Sequence, residues 1–448
     1  MRTAFLSSLL ALVLAAAPAV AQNTTLNATF ISGLVSALQA ANLTQTINIT
    51  TSLNGTLNGT SLLANISNGL PHLIFAPTDA AWANVSTDIT GNQTLLEDVF
   101  AYHILPGNFT TPPTSFPNVT LGETLLNDSA VVQLEGNKSQ AVAWTVLADN
   151  NTHVLNQIND TIVVNVTSFE NITIWVIDQV LTIPTILANT TVVPANNVSN
   201  VSISSFETLL QNATLSYFNL TTNTTSDVTF FDALNVGYPG FTLFAPNSSA
   251  VDASNATFEQ LVTNRTAINA LLFNHFINGT TLYSPLLTGT QNYTSQGGEN
   301  FTFSINGTGQ WVTQGNITAL ILQSDILLKN GVVHIIDDVF FDLNNNGTAA
   351  DEALSAALSQ AANQTAVPSG PIGFSLTASL SANATASGNA TSSAASATSA
   401  VPVTSPASSA SSVSSASTAS SSVASITSSP GSSASVVSST SAASSTTS

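Results

Sequence analysis

The sequence predicts an α+β chain: two tandem copies of one mixed module, then a disordered Ser/Thr/Ala-rich tail. Three observations carry this. One short phrase, a strand, a stop and a helix cap, is written twice. Helical and strand-like periodicities alternate through both copies. After Pro368 the composition falls to Ser, Ala, Thr and Val with an occasional Pro, from which no core can be built.

The chain begins as a secretory leader over residues 1–21. Arg2 is the charged start, Phe5 to Ala17 the apolar stretch, and Ala19-Val20-Ala21 a cleavage site before Gln22. After a short polar lead, Phe30, Leu34 and Leu38 repeat at helical spacing, which predicts a helix over 29–42. Residues 48–69 are polar and Gly-punctuated and read as loop, with a little helix at Leu62 and Leu63. The repeated phrase follows. Leu73-Ile74-Phe75 reads as a buried strand, Pro77 stops it, and Thr78 stands where a helix N-cap should. Asp79 then falls in the first turn, where the helix dipole favours an acid.

Leu96, Val99, Phe100 and His103 lie on one face of a helix predicted over 93–104. From Val119 to Ile183 the pattern turns to short runs between Asn, Gly and Asp: Val131-Val132, 141–147, 162–166 and 172–180. These suit strands of a small sheet. About 170 residues after its first appearance the phrase returns as Phe241 to Asn247, with Phe244, Pro246 and Asn247 in the places of Phe75, Pro77 and Thr78. Ile268, Leu271, Leu272 and His275 repeat the helix face, and strands are predicted near 301–305, 311–312 and 332–336. The predicted modules span 22–186 and 187–345, and the tail 346–448.

Composition narrows the partners. Four Lys and Arg face 23 Asp and Glu, a net charge of −19, and loss of the leader with Arg2 makes the balance more negative. So few cations cannot neutralise a useful run of phosphates, which excludes nucleic acid, and anionic membranes would repel the chain. With no cysteine, stability must come from apolar cores. Charged residues are only 6% of the chain, low for a wetted surface. Roughly 35 N-x-S/T sequons between Asn23 and Asn389 offer sugar as the compensation. Asn23, Asn54, Asn58, Asn189, Asn200, Asn223 and Asn363 are representative acceptors. Nothing after the leader is long and apolar enough to span a membrane, and the sequence as given ends without the hydrophobic tail of a lipid-anchor signal.

Candidate chemistry is sparse. His103 and His275 invite a catalytic or metal role, yet their repetition on equivalent apolar faces favours buried, hydrogen-bonded core histidines. His334 has Trp175 as its first-copy counterpart, which favours packing. His72 and His153 show no evident partners in sequence. No hydrolase, zinc, phosphate-loop or dinucleotide signature is present. Glu97, Asp98, Asp337 and Asp338 could form a glycosidase pair only if the fold joined them. Asp342 to Gly347 fits half of a calcium loop, but its twelfth position is Ala353, so it reads as an Asn-rich linker. No metal or cofactor is expected.

These segments together resemble the fasciclin (FAS1) family. The two phrases resemble its first conserved segment. Tyr102-His103 resembles its Tyr-His motif, with Asn274-His275 in the same place. Asn330 to Asp337 looks like its closing segment, with Asn171 to Asp178 as the weaker first-copy form. The resemblance thereby marks Asp178, Asp337 and His334 as motif positions beside those already named. It implies two tandem domains, each a small β-wedge or sandwich of about seven strands with several helices on one side. It also implies a non-enzymatic, secreted or wall-associated glycoprotein for cell adhesion or matrix organisation, possessing two linked sites for surface or wall components, protein, polysaccharide or another copy. The leader, missing cysteines and hydroxyl-rich tail suit a fungal wall. A glycan- or ester-hydrolysing wall enzyme, a purely structural mannoprotein and a vacuolar or endomembrane protein are the alternatives. Asp325-Ile326 stands where animal relatives place a pair implicated in integrin contact, which makes these two residues a candidate partner contact.

Overall fold

The structure, a computed structural model, describes residues 28–109, 113–115, 117–190, 201–219, 224–363 and 370–373. They fall within one compact unit, Met1–Ala378. The leader, Asn23, Asn200, Asn223 and the tail beyond 373 lie outside the described residues.

The first module opens with α1 (Ala28–Ala40), α2 (Thr44–Leu53) and α3 (Leu57–Ile66). Then come β1 (His72–Pro77), α4 (Asp79–Ala83), α5 (Thr87–Thr90), α6 (Gln93–Tyr102) and β2 (Ile104–Pro106). It closes with β3 (Thr120–Glu123), β4 (Ala141–Val146), β5 (Thr152–Val154), β6 (Thr161–Phe169) and β7 (Ile172–Ile177). Among the described residues these strands form one seven-stranded sheet ordered β2-β1-β7-β6-β5-β4-β3, with β1 and β7 parallel.

The second module repeats the plan. Its helices are α7 (Ser204–Asn212), α8 (Phe230–Val236), α9 (Ser248–Ala253), α10 (Asn255–Leu261) and α11 (Arg265–Phe273). A hairpin of β8 (Thr214–Asn219) and β9 (Thr224–Thr229) stands beside them. The sheet strands are β10 (Phe241–Pro246), β11 (Phe276–Asn278), β12 (Tyr293–Thr294), β13 (Asn300–Asn306), β14 (Gly309–Gln314), β15 (Ile317–Leu328) and β16 (Gly331–Ile336). Their order, β11-β10-β16-β15-β14-β13-β12, is that of the first sheet, again with the first and last strands parallel.

The repeated phrase does the same physical work twice. Every residue of β1 and β10 is buried, as a central strand with both faces covered requires. Each strand ends at its proline. Thr78 then accepts a hydrogen bond from Ala81 N–H, and Asn247 one from Ala250 N–H, each capping a short helix. Phe75 pairs with Trp175 and Phe244 with His334 in the parallel register, so the aromatic and the histidine are true counterparts.

Three expectations need correction. Residues 48–69 are mostly helix, not loop. Leu53, Leu63 and Ile66 are buried, Thr56 caps α3, and the Thr46 and Thr50 hydroxyls donate to backbone carbonyls. Thr and Asn are poor helix formers, so tertiary packing, with the Asp79 carboxylate accepting from Gln45 N–H, decides the outcome. Val131-Val132 is a turn on the Asp128 carbonyl rather than a strand. And residues 347–362, expected in the tail, form α12 (Gly347–Ala362), capped by Asn346. Ala361 of α12 lies against the first module: a Cβ on Gly136 would stand 2.7 Å from the Ala361 carbonyl. Farther on, Ile372 N–H donates to the Leu121 carbonyl at 2.8 Å. The chain leaves the second module and returns across the first.

Candidate functional site

The motif histidines are latches. His103, the C-cap of α6, bonds through Nδ1 to the Val99 carbonyl at 2.6 Å, and its Nε2 accepts from Leu181 N–H at 3.0 Å. His275 does the same with the Leu271 carbonyl at 2.9 Å and Phe340 N–H at 3.0 Å. Each ring therefore ties the end of a helix to the segment after the last strand. This geometry fixes the neutral tautomer with the proton on Nδ1. Burial drives both pKa values down to about 4, and the backbone bond restores only part. Asp178 and Asp337 are strand clips: their carboxylates accept from Ile162 N–H and Leu320 N–H at 2.8 and 2.7 Å.

The candidate partner contact is inside the protein. Asp325 and Ile326 are both buried, so neither reaches a partner in this fold, and that expectation is corrected. Asp325 has φ of 59°, and its carboxylate accepts from Ser284 N–H at 2.7 Å and the Ser324 hydroxyl at 2.8 Å. Its N–H faces His334 Nδ1 at 3.3 Å, while His334 Nε2 donates to the Leu282 carbonyl. His334 stacks on Phe244 and its pKa is lowered by burial, partly offset by the Asp325 charge. The four scattered acids are not joined. Asp98 meets Glu97 and Asp128 in the first module and is raised to about 6, chiefly by burial. Asp337 clips a strand of the second, and Asp338 accepts from its neighbour Val339. In the half calcium loop, Asn274 Nδ2 donates to the Asp342 and Asn344 carbonyls, which pins an Asn-rich linker. Among the described residues no group of three His, Cys, Asp or Glu is placed to hold a metal.

What the sequence did not reveal is the junction between modules. Val119, Leu121, Ala141 and Ala143 pack on Tyr283, Leu327 and Val332. Around this apolar patch backbone bonds cross, Gln133 N–H to the Lys329 carbonyl and Lys329 N–H to the Thr185 carbonyl, both at 2.8 Å. Buried Glu135 accepts from Thr281 N–H and its hydroxyl at 2.9 and 2.7 Å, and pairs with Lys138 at 2.6 Å. Glu123 is raised to about 7, mainly by burial; Lys138 opposes the rise and Glu135 adds to it. Gly240 closes the contact at φ 71°, its N–H shared between the Gln133 and Asn330 carbonyls. A Cβ there would stand 2.7 Å from the Glu135 backbone N and Cβ. Gly240→Ala should therefore cost about 1–3 kcal/mol and split thermal unfolding into two steps. An unchanged single calorimetric transition would contradict this coupling.

Beside the junction opens a cleft of about 1140 Å³ with walls from both modules. Amides line it, including Asn156, Gln157 and Gln310, between apolar Leu155, Leu322 and Ile372. On the first-module wall His153 bridges two carboxylates, Asp160 at 2.6 Å and Asp149 at 3.0 Å. Burial alone lowers the His153 pKa, but the two carboxylates overcome it and the net direction is up. Asp149 is held down at about 2 by the backbone and side chain of Asn151. The trio is a locked ion cluster. The one sequence signal for it was the Asp149/His153 spacing of four, next to a hairpin that returns Asp160. Sequon residues Asn118, Asn159 and Asn306 are exposed on the cleft's rim. Elsewhere Asn54, Asn58, Asn189 and Asn363 are exposed, whereas Asn247, also in a sequon, is buried as a helix cap.

The sequence model of the Fasciclin domain matches this chain twice, over residues 31–184 and 202–342. A "Fasciclin-like arabinogalactan protein" of Arthroderma benhamiae is 26% identical over 270 residues, covering 58% of this chain and 54% of its own. The chain thus spans about half the length of that curated relative. A solved FAS1 domain pair from the insect cell adhesion molecule Fasciclin I is 14% identical. It covers 68% of this chain and 98% of its own, with a TM-score of 0.31. No helix among the described residues is long and apolar enough to cross a membrane.

Proposed function

We propose, because this chain belongs to the fasciclin domain family, that it is a secreted, wall-associated glycoprotein that binds surface or wall components without chemistry. The predicted bounds, modules at 22–186 and 187–345 after a leader at 1–21, are retained in this reading. The observation that carries it is the junction. Two family modules are clamped side by side, and the cleft they form offers amides and apolar patches while its charges are spent on each other. Such a lining suits a neutral, hydroxyl-rich polymer or a polar peptide strand. A preformed cleft loses little entropy on binding. The "Fasciclin-like arabinogalactan" name of the relative agrees with a wall setting. Sugars on Asn118, Asn159 and Asn306 would fringe the cleft and gate it.

The test uses the full chain, with and without enzymatic deglycosylation, on intact cells and isolated walls. Saturable binding is expected in both forms and stronger after deglycosylation. Gly307 lies at the cleft mouth, and a Cβ there meets nothing within 4 Å. Gly307→Trp should therefore leave folding intact and weaken binding roughly tenfold by filling the mouth. Binding that disappears with the sugars would assign the activity to the glycans. No binding in either form would overturn the reading.

A further inference from the structure

The two modules contain the same strand edge and treat it differently. In the second, β14 pairs with β15 only from Ile317 to Leu320, and among the described residues no strand pairs with the rest of that side of β15. The first module covers it. Asn156 Nδ2 donates to the Asp325 carbonyl, Gln140 Nε2 to the Leu328 carbonyl at 3.0 Å, and Leu327 enters the apolar junction. In the first module, β5 pairs with β6 only at Thr161 and Ile162. Among the described residues no strand covers that side of Val163 to Phe169; α1 packs on β6 at Phe169 through Phe30, and Val164 to Val166 are exposed. Val164 and Val166 are 55% and 58% exposed there, at a bulge between Val163 and Asn165.

An open apolar edge is a template for pairing with another chain. The bulge blunts it only at one point. Asn165-Val166-Thr167 is a sequon in the middle of this edge, whereas the covered counterpart, Gln323 to Leu328, contains no asparagine. Asn165 is exposed. Its Oδ1 accepts from Val166 N–H at 2.9 Å, and among the described residues its Nδ2 has no partner. We infer that Asn165 carries an N-linked oligosaccharide that shields the open edge of β6, doing for the first module what the first module does for the second. Because the junction face of the first module is already occupied, a second copy cannot cover β6 as β15 is covered.

This inference rests on the secreted reading, since the donor is a lumenal lipid diphospho-oligosaccharide. Asn165 Nδ2 bonds to the anomeric carbon, the bond from that carbon to the diphosphate oxygen breaks, and the lipid diphosphate leaves. The amide proton passes to a base of the transferring enzyme.

The test is site mapping on the full chain secreted from a eukaryotic host, with enzymatic release in heavy-oxygen water to mark occupied asparagines. Asn165 should be marked. Asn165→Gln and Thr167→Ala should each fold but self-associate, with average mass in sedimentation roughly doubling as concentration rises. Adding Val164→Lys and Val166→Lys to Asn165→Gln should restore the monomer. Asn54→Gln, which removes a sequon on a helical surface, should stay monomeric. Marks on other sequons with a bare Asn165 would overturn this inference alone, as would monomeric Asn165→Gln and Thr167→Ala. No marked sequon anywhere would overturn the secreted reading with it.

Discussion

Lowering the pH from 6.5 to 4 should destabilise both modules through His103 and His275. Each ring donates from Nδ1 and accepts at Nε2. A second proton would put an N–H on Nε2, facing the N–H of Leu181 or Phe340, so the latch would open. The folded-state values of about 4 lie below the unfolded 6.5. The contribution is therefore complete above pH 6.5 and is lost as pH falls toward 4, about 3 kcal/mol for each ring. Glu123 acts in the opposite sense. Its folded value of about 7 exceeds the ordinary 4.5, so its contribution is complete below 4.5 and fades as pH rises through 7. The wild-type curve should show a net acid loss partly masked by Glu123. Glu123→Gln removes the opposing group and should steepen the acid limb, while His103→Gln should flatten it for the first module. Melting measured every half pH unit checks both, and identical slopes in all three proteins would refute the latch.

Much of the module was legible because its signals are local. Pro77 and Pro246 must end strands, Thr78 and Asn247 must cap, and one phrase written twice sets a repeat whatever the surroundings. The histidines were legible for a related reason: a titratable ring repeated on two apolar helix faces belongs to the fold. What escaped depends on contacts distant in sequence. Helices α2 and α3 are built from Thr and Asn and exist because Leu53, Leu63 and Ile66 find a core. The junction is made of small apolar residues, Ala141 and Ala143 against Val332, and of backbone bonds that leave no pattern. The His153 cluster needs a hairpin to bring Asp160 back. Helix α12 hid inside a Ser/Ala composition that otherwise signals disorder, and the contacts that order it, Ala361 against Gly136 of the first module and Leu354 against Gly279 of the second, are distant in sequence.

Asp325→Ala should destabilise the second module by about 2–4 kcal/mol rather than remove a binding contact. The carboxylate is buried and accepts from the buried Ser284 N–H and the half-buried Ser324 hydroxyl, so its loss strands the Ser284 donor and removes the acceptor of Ser324. The backbone at φ 59° adds a cost, because alanine tolerates that region less well than aspartate. The Asp325 carbonyl also anchors Asn156 of the first module, so relaxation here should loosen the junction. Asp325→Asn keeps the shape, an acceptor for Ser284 and the tolerance for positive φ, and should retain most of the stability. Denaturant unfolding of both variants separates these effects. Wall binding of the alanine protein should fall with its folded fraction and with the loosening of the junction that walls the cleft. An alanine variant as stable as wild type that nevertheless lost binding would return Asp325 to the surface as a contact. The buried carboxylate would then have to become exposed on binding.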